Sequence, residues 1–279
     1  MLFKSKKIRE LTYDEIQFFR KEIRTNLYTI LYYISVKLKL KNENELSTQE
    51  RFLVKTFNHD LITFERYLGR QINLQEFESE FNKINLEYLK ENIKLYFKQF
   101  EISLFINYIN ISENIKQNDC FRFVFKPINQ ALGFEVLSSI HIPNSNIESE
   151  IFEQLGVTRT SPQRKGYNYD SINSIQLKKP LEIGDIIVYR QGERPDHIGF
   201  VVSKNGLILS KEGTGFVWIH PFNAFYDDFQ GYGNIISFMR VKDEKFKYYF
   251  QNKFLPSIEK LKLEPDKLID IVEEVIRKI

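Results

Sequence analysis

Two residues of this chain have the type and the setting for nucleophilic chemistry, Cys120 and His197. The chain has 279 residues, with one cysteine and four histidines. Cys120 follows Asn118 and Asp119, which favour the N-cap position, so we expect it in the first turn of a helix. The positive end of the helix dipole stabilises a thiolate there, and a nearby imidazole can carry the proton in acyl transfer. The alternative for Cys120 is a small buried side chain that only packs.

His197 is the histidine whose surroundings fit a general base. It begins an apolar segment, twelve residues after Asp185 in a Gly-Asp turn. The alternative for His197 is an ordinary polar role. The remaining histidines show no comparable partner pattern: His59, His141 and His220.

The composition excludes several classes of protein. There are 40 Lys and Arg residues against 37 Asp and Glu, a formal charge of +3, which is too small to indicate nucleic-acid binding. One cysteine forms neither an internal disulfide nor a thiolate zinc cage. Glycine-rich phosphate loops, His-Glu-x-x-His and acidic calcium loops are absent from the sequence. We therefore expect no metal and no organic cofactor.

No targeting or membrane-spanning segment is expected. The basic start, residues 1–7, is not followed by the apolar region of a signal peptide. The early apolar stretch, residues 27–38, contains Lys37 and is shorter than the roughly 20 apolar residues that a membrane helix requires. The sequence indicates a cytoplasmic protein, or one exported without a cleaved signal.

Glycine and proline divide the chain into parts of different structure. All eight prolines lie at Pro127 or later, and of twelve glycines only Gly69 precedes Gly133. Because helix interiors reject both residues and turns between strands collect them, the first part is predicted to be helical. The predicted division is a helical bundle over residues 1–112, an α+β domain over 113–245 and a helical tail over 246–279.

Periodicity and capping residues mark the helices. Apolar residues from Ile16 to Leu38 recur every three or four positions, which predicts a helix over residues 13–39. Residues 12–15 and 47–50 fit capping boxes, and residues 73–76 open a third helical run. Pro265 fits the first position of a last amphipathic helix.

The α+β part contains a series of strand candidates joined by short turns, which favours an antiparallel sheet. Asn205-Gly206 between two apolar runs is a hairpin signal. The strand candidates are residues 186–190, 198–202, 207–210, 216–219 and 235–241.

The order of these features resembles the NlpC/P60 and CHAP group of papain-like cysteine peptidases and amidases. Asp-Cys-x-x-Phe-Val opens a helix, Gly-Asp-Ile-Ile-Val-Tyr-Arg follows about 65 residues later, and His-Ile-Gly-Phe-Val-Val begins the next strand. The resemblance covers about residues 115–242 and has no counterpart for the helical bundle. It implies a Cys-bearing helix packed on an antiparallel sheet.

The resemblance also implies roles for individual residues. Cys120 matches the nucleophile, His197 matches the general base, and Asp185 matches a structural position. An orienting partner for the base is expected at the end of the following strand, where Glu212 is our choice and Ser210 the alternative. The Cys120 backbone N–H would serve the oxyanion hole, with Gln117 or Asn118 as candidates for a side-chain donor.

Two departures from the family pattern bear on the substrate. No histidine stands at the end of the strand after His197, where the family often has one. Phe121 follows the cysteine, where the members that act on peptidoglycan usually carry a small residue. The second departure weakens the inference to a cell-wall substrate more than it weakens the inference to the fold.

The expected function is that of a cysteine-dependent amidase or peptidase that acts through an acyl-enzyme on a peptide or amide, including peptidoglycan peptides. One alternative keeps the fold and the dyad in an acyltransferase or protein deamidase, such as a delivered toxin or effector. The other is a catalytically silent interaction module with a packed Cys120. In each case the N-terminal helices are a candidate surface for a protein partner.

Overall fold

The protein is α+β and forms two compact units. The computed structural model describes residues 13–56, 70–99, 103–105, 120–133, 150–159, 176–191, 194–211, 217–222 and 235–279. One unit, the helical unit, comprises Met1–Ile102 and Leu263–Ile279, and the other, the sheet unit, comprises Ser103–Lys262. These divisions differ from the sequence-based boundaries at residues 112/113 and 245/246. Among the described residues, no helix is long and apolar enough to cross a membrane.

The helical unit is built from amphipathic helices that bury their apolar faces against one another. Helix α1 (Tyr13–Lys39) has the predicted bounds, and it buries the part of the apolar repeat whose burial is described: Ile23, Leu27, Ile30, Ile34 and Leu38. In the described part of this unit, four helices pack against it: α2 (Thr48–Thr56), α3 (Leu74–Asn82), α4 (Leu86–Gln99) and α8 (Pro265–Ile276).

The predicted capping box at residues 47–50 forms the expected hydrogen bonds, and a second box that was not predicted occurs at the start of α3. The backbone N–H of Ser47 donates to Glu50 at 2.7 Å, and the N–H of Glu50 donates to the Ser47 hydroxyl at 3.2 Å. Asn73 and Glu76 form the same reciprocal pair at the start of α3. These bonds satisfy N–H groups that have no partner within the helix. Thr12, in the other predicted capping box, lies outside the described residues.

The C-terminal helix α8 belongs to the helical unit. Its buried side chains are Leu268, Ile269, Val272 and Val275. Ion pairs of 3.1 Å between Lys90 and Glu273 and of 2.6 Å between Lys94 and Asp266 link it to α4. The predicted helical tail is therefore divided between the two units. Its last helix, α8, belongs to the helical unit because the N-terminal helices cover its apolar face.

The sheet unit contains an antiparallel sheet. Its strands run in the order β2, β7, β3, β4, β5, β6, β1. Their bounds are β1 (Ser103–Phe105), β2 (Phe152–Arg159), β3 (Ile186–Gln191), β4 (Arg194–Val201), β5 (Leu207–Lys211), β6 (Val217–Pro221) and β7 (Ile235–Val241). A two-residue strand, β8 (Lys262–Leu263), lies at the boundary between the units. The β4–β5 hairpin turns at the predicted Asn-Gly, where Gly206 has a φ of 83°.

Helices cover one face of this sheet. Helix α5 (Cys120–Leu132) packs on β4 and β5. Beside it lie α6 (Glu244–Tyr249), a π-helical turn (Phe250–Phe254) and α7 (Leu255–Glu259). Their aromatic side chains fill the space above β4, with the Phe200 and Phe250 ring centroids 4.6 Å apart. Residues 246–259, predicted as tail, thus complete the core of the sheet unit.

Alternation along the strands separates two apolar clusters. We call the face under α5 the helix face. Its buried strand residues are Phe152, Ile186, Val188, Ile198, Phe200, Leu209, Val217, Met239 and Val241. The opposite face holds a second cluster with Leu155, Leu181, Ile187, Tyr189, Val201, Ile208, Phe222, Ile236 and Phe238. Since successive side chains point to opposite faces, the register assigns strand residues away from the two register shifts to one face or the other.

Helix α5 runs through Pro127, where the sequence predicted a disturbance. Pro127 is inside the helix and buried, and the helix ends at Leu132. Proline cannot donate a hydrogen bond to the carbonyl four residues earlier. The neighbouring Val124 and Ile128 are fully buried in the same cluster, so packing holds the helix across the missing bond.

Candidate active site

Cys120 is the first residue of α5, as the sequence predicted. Its side chain is buried, with 6% of its surface exposed, and it belongs to the cluster on the helix face. The helix packs on β4 and β5. A thiol at this position experiences the partial positive charge of the helix N-terminus, which favours the thiolate.

His197 lies inside β4 and not at its beginning, which is Arg194. It is fully buried and pairs across the ladder with Tyr189 on β3, with ring centroids 5.7 Å apart. Residues paired in an antiparallel ladder share a face. Because Tyr189 belongs to the opposite cluster, His197 points to the face away from α5.

The two predicted catalytic side chains are therefore directed to different faces of the sheet. Cys120 is in the cluster that contains Ile198 and Phe200, the residues that alternate with His197 along β4. The sequence contains the alternation of β4, but it does not indicate on which face the Cys-bearing helix packs.

Ser210, the alternative orienting residue, is hydrogen-bonded to a second histidine. Its hydroxyl oxygen lies 2.8 Å from Nε2 of His220, and Nδ1 of His220 lies 2.8 Å from the carbonyl oxygen of Pro221. A carbonyl only accepts, so Nδ1 carries the hydrogen and Nε2 accepts from the Ser210 hydroxyl. Both side chains are buried on the face to which His197 points. The sequence pattern alone assigns His220 no role.

Gly199, in the His-x-Gly segment, allows β4 and β5 to approach closely. It pairs with Ser210, and a Cβ atom added at Gly199 would lie 2.9 Å from the Cβ of Ser210. It would also lie 2.6 Å from a methyl carbon of Ile208 and 2.9 Å from the carbonyl oxygen of Leu209. The glycine is explained by this packing, independently of any catalytic role.

Asp185, which the resemblance matches to a structural position, is held in an ion pair. Its carboxylate accepts from Nε and Nη2 of Arg240, both at 2.8 Å, and from the backbone N–H of Glu182 at 2.7 Å. The hydrogen bonds from Arg240 to Asp185 raise the pKa of the guanidinium above its ordinary value. This pair ties the start of β3 to β7.

A surface cavity of about 250 Å³ lies beside this ion pair. Its lining includes Lys179, Glu182 and Lys247 as well as Asp185 and Arg240. Lys247 pairs with Glu182 at 2.6 Å, so charges within the lining neutralise one another. Neither predicted catalytic residue lines this cavity.

Lys211 is a buried charged residue that sequence reasoning missed. It is the last residue of β5, it is fully buried, and it pairs with Val217 on the helix face. The alternation of the strand could have indicated this burial. Lys211 stands two residues after the apolar Leu209 and therefore on the same face.

The remaining predicted site residues lie outside the described residues. They are Glu212, Gln117 and Asn118. In the described part of the chain, no group of three or more His, Cys, Asp or Glu side chains is placed to hold a metal ion.

Comparison with known proteins gave no relative to which the chain can be assigned. No protein-family model, no curated protein and no solved structure matches it.

Proposed function

We propose that the sheet unit is a cysteine-dependent amidase or peptidase in which Cys120 is the nucleophile and His197 the general base. One observation carries the proposal: Cys120 begins α5, and α5 packs against β4, the strand that contains His197. The resemblance of the Cys, Gly-Asp and His-x-Gly segments to the NlpC/P60 group supports the same assignment.

The proposed reaction is acyl transfer through a thioester. The Cys120 thiolate attacks the carbonyl carbon of an amide, and the π electrons move to the oxygen. Collapse of this intermediate breaks the C–N bond, and the leaving amine takes a proton from the His197 imidazolium. Neutral His197 then removes a proton from water, which attacks the thioester and releases the acid and the thiolate.

The proposal requires a conformational change at the start of α5 or of β4. In the described conformation His197 points to the face opposite Cys120, so the proposed reaction needs one of these segments to move before the imidazole can reach the thiol. The reactive conformation is then a minor one, and the reactivity of the thiol measures its population.

A second candidate function follows from the burial of Cys120. Its side chain is 6% exposed among Phe123, Val124 and other residues of the helix-face cluster. A small apolar packing role satisfies this environment fully. On this assignment the chain is a catalytically silent interaction module.

Alkylation of the single cysteine separates the two candidates. Folded wild-type protein is treated with iodoacetamide at neutral pH and followed by intact mass, beside His197→Ala and the unreactive Cys120→Ala. The catalytic proposal predicts labelling of the folded wild type and labelling at least about 10-fold slower in His197→Ala, since one pKa unit is tenfold in thiolate. His220→Ala, in the same sheet, controls for general disturbance of the fold.

Two labelling patterns contradict parts of the catalytic proposal. If Cys120 labels readily in urea and stays unlabelled in the folded protein, the packing role is correct. If labelling is fast but equal in wild type and His197→Ala, Cys120 is reactive and His197 is not its base.

The substrate class requires a separate trial. Peptidoglycan fragments are incubated with wild type and with Cys120→Ala, and cleavage by the wild type alone is expected for a cell-wall amidase. If neither protein cleaves them, a protein substrate is favoured, and with it the alternatives of acyl transfer or side-chain deamidation.

A further inference from the structure

A buried serine and a buried histidine join two neighbouring strands on the face of the sheet away from α5. Ser210 on β5 has none of its surface exposed, and His220 on β6 has 1%. In the ladder Ser210 lies opposite Trp218, which stands two residues before His220, so the serine and the histidine are diagonal neighbours on one face. The Ser210 hydroxyl oxygen lies 2.8 Å from Nε2 of His220.

Both ring nitrogens of His220 make hydrogen bonds that suit the neutral imidazole. Nδ1 lies 2.8 Å from the carbonyl oxygen of Pro221 and therefore carries a hydrogen, because a carbonyl only accepts. Nε2 then has a lone pair, which accepts the hydroxyl hydrogen of Ser210. Burial favours this uncharged form, since an imidazolium withdrawn from water loses its hydration.

The titratable side chains around this pair come from several strands. In the described part of the chain, His197 on β4 and Tyr189 on β3 lie on the same face. Strand β1, the other neighbour of β6, contains no charged residue. Lys211 lies on the helix face, and Arg190 and Asp196 lie at the bulge between β3 and β4. Because two of the groups on this face are histidines, acid adds positive charge to it.

The pair stands where β6 ends. His220 and Pro221 are the last two residues of the strand. Immediately after them, the N–H of Phe222 donates to the carbonyl of Gly206 at 2.9 Å, and the Phe222 carbonyl accepts from the Tyr189 hydroxyl at 2.6 Å. These bonds bring the β4–β5 turn and the end of β6 together beside one imidazole, so a charge on that ring should loosen them together.

We propose that the Ser210–His220 pair is an acid-sensitive latch between β5 and β6. In acid the Nε2 lone pair of His220 takes a proton from hydronium, and the Ser210 hydroxyl hydrogen, which pointed at that lone pair, turns away. No bond to carbon changes. The charged ring is drawn towards water, and the end of β6 separates from β5. This inference concerns the face away from Cys120 and does not depend on the proposed function.

The single tryptophan of the chain lies beside the latch. The ring centroids of Trp218 and His220 are 6.3 Å apart, so the indole fluorescence reports charge and movement at the imidazole. The fluorescence of the full chain is followed from about pH 8 to about pH 4.5 at constant ionic strength. Wild type is compared with His220→Gln, which keeps an acceptor for the Ser210 hydroxyl and does not titrate. His197→Gln, which removes the other buried histidine of this face, is the matched control.

The expected result is a reversible change in Trp218 fluorescence of the wild type below about pH 6.5, where an unperturbed histidine takes its proton. His220→Gln should lose most of this change, and His197→Gln should keep it. Urea unfolding provides a second readout. Because the unfolded chain binds a proton that the closed latch excludes, the folded-to-unfolded ratio of the wild type, relative to that of His220→Gln, should fall up to about tenfold per pH unit below about 6.5.

Two results overturn the inference. If His220→Gln keeps the wild-type fluorescence profile, the charge of His220 does not open the latch. If long-range ¹H–¹⁵N spectra show His220 protonated on both nitrogens at about pH 7.5, the pair is already charged and acid cannot switch it.

The same spectra decide the matter if His220→Gln does not fold, because they follow the imidazole in the wild type. The signals of His220 are then assigned with Ser210→Ala. A neutral ring with hydrogen on Nδ1, whose protonation coincides with the Trp218 change, supports the latch. Protonation of His220 without that change rejects it. Since neither readout involves Cys120, the latch and the proposed function fail separately.

Discussion

At the scale of residues, the sheet unit separates groups that the sequence suggested would act together. Cys120 and Lys211 belong to the helix face, whereas His197, Ser210 and His220 belong to the opposite face. The residue types in the sequence were sufficient to nominate Cys120 and His197. Their faces depend on which side α5 packs, and that is decided by long-range burial of Ile198 and Phe200.

Gly199→Ala should destabilise the protein through steric collision. The new Cβ would stand 2.6 Å from Ile208 and 2.9 Å from the backbone oxygen of Leu209. Because the neighbouring strand backbone cannot move away cheaply, we expect a loss of about 1–3 kcal/mol in urea unfolding. Gly133→Asn is the control, since Asn tolerates the φ of 77° at Gly133 and a Cβ added there would meet no atom within 4 Å. A Gly199→Ala loss no larger than that of Gly133→Asn would reject the collision.

Ser210→Ala should destabilise the protein because it removes the hydrogen bond between Ser210 and His220. The substitution leaves Nε2 of His220 buried without the donor that now lies 2.8 Å away. The expected cost is about 1–3 kcal/mol of unfolding free energy. The double variant with His220→Phe should cost less than the sum of the two single changes, and strict additivity would show that the two side chains are not coupled.

At the scale of elements, local signals predicted the helices and most strands well. The bounds of α1 and β7 agree with the prediction, because strong periodicity and flanking turn residues define them. Strand β2 was not predicted. Its sequence, Phe152–Arg159, has little strand character, and it is stabilised by pairing with β7 about 80 residues later in the chain. Such non-local pairing is not encoded in the segment itself.

The capping box at α2 gives an acid-dependent contribution to stability. The ammonium of Lys41 at 2.6 Å and the N–H of Ser47 stabilise the carboxylate and lower the pKa of Glu50 from 4.5 to about 2. A lowered pKa in the folded state adds stability that is complete above about pH 4.5 and is lost as the pH falls through about 2. Wild type should therefore exceed Glu50→Gln by about 0.5–2 kcal/mol at pH 7, and the difference should shrink at pH 2.5. A difference that does not vary with pH would show that the charge of Glu50 is unimportant.

At the scale of the whole molecule, both ends of the chain contribute to the helical unit. The boundary predicted near residue 112 follows the change in composition. The sequence did not predict that α8 packs with the N-terminal helices. That packing depends on matching apolar faces separated by more than 160 residues of sequence. Periodicity shows that α8 has an apolar face, but not what covers it.

Val272→Asp should destabilise the helical unit selectively. Val272 is 2% exposed in α8, and a carboxylate there would be buried among apolar side chains. We expect the helical transition, followed by circular dichroism at 222 nm, to move to lower urea concentration. The single tryptophan, Trp218, lies in β6, so its fluorescence reports the sheet unit and should change much less. Lys267→Asp, at an exposed position of the same helix, is the control, and equal shifts of both signals in Val272→Asp would show that the units unfold together.

The most direct test of the central claim is the detection of an acyl group on Cys120. Folded protein is mixed with p-nitrophenyl acetate at neutral pH, quenched in acid and measured by intact mass and by peptide mapping. The account predicts a burst of p-nitrophenol and one acetyl group on Cys120, removable by hydroxylamine and absent in Cys120→Ser. Folded wild type that shows no burst and no adduct on Cys120, while the urea-unfolded chain is acetylated, would contradict it.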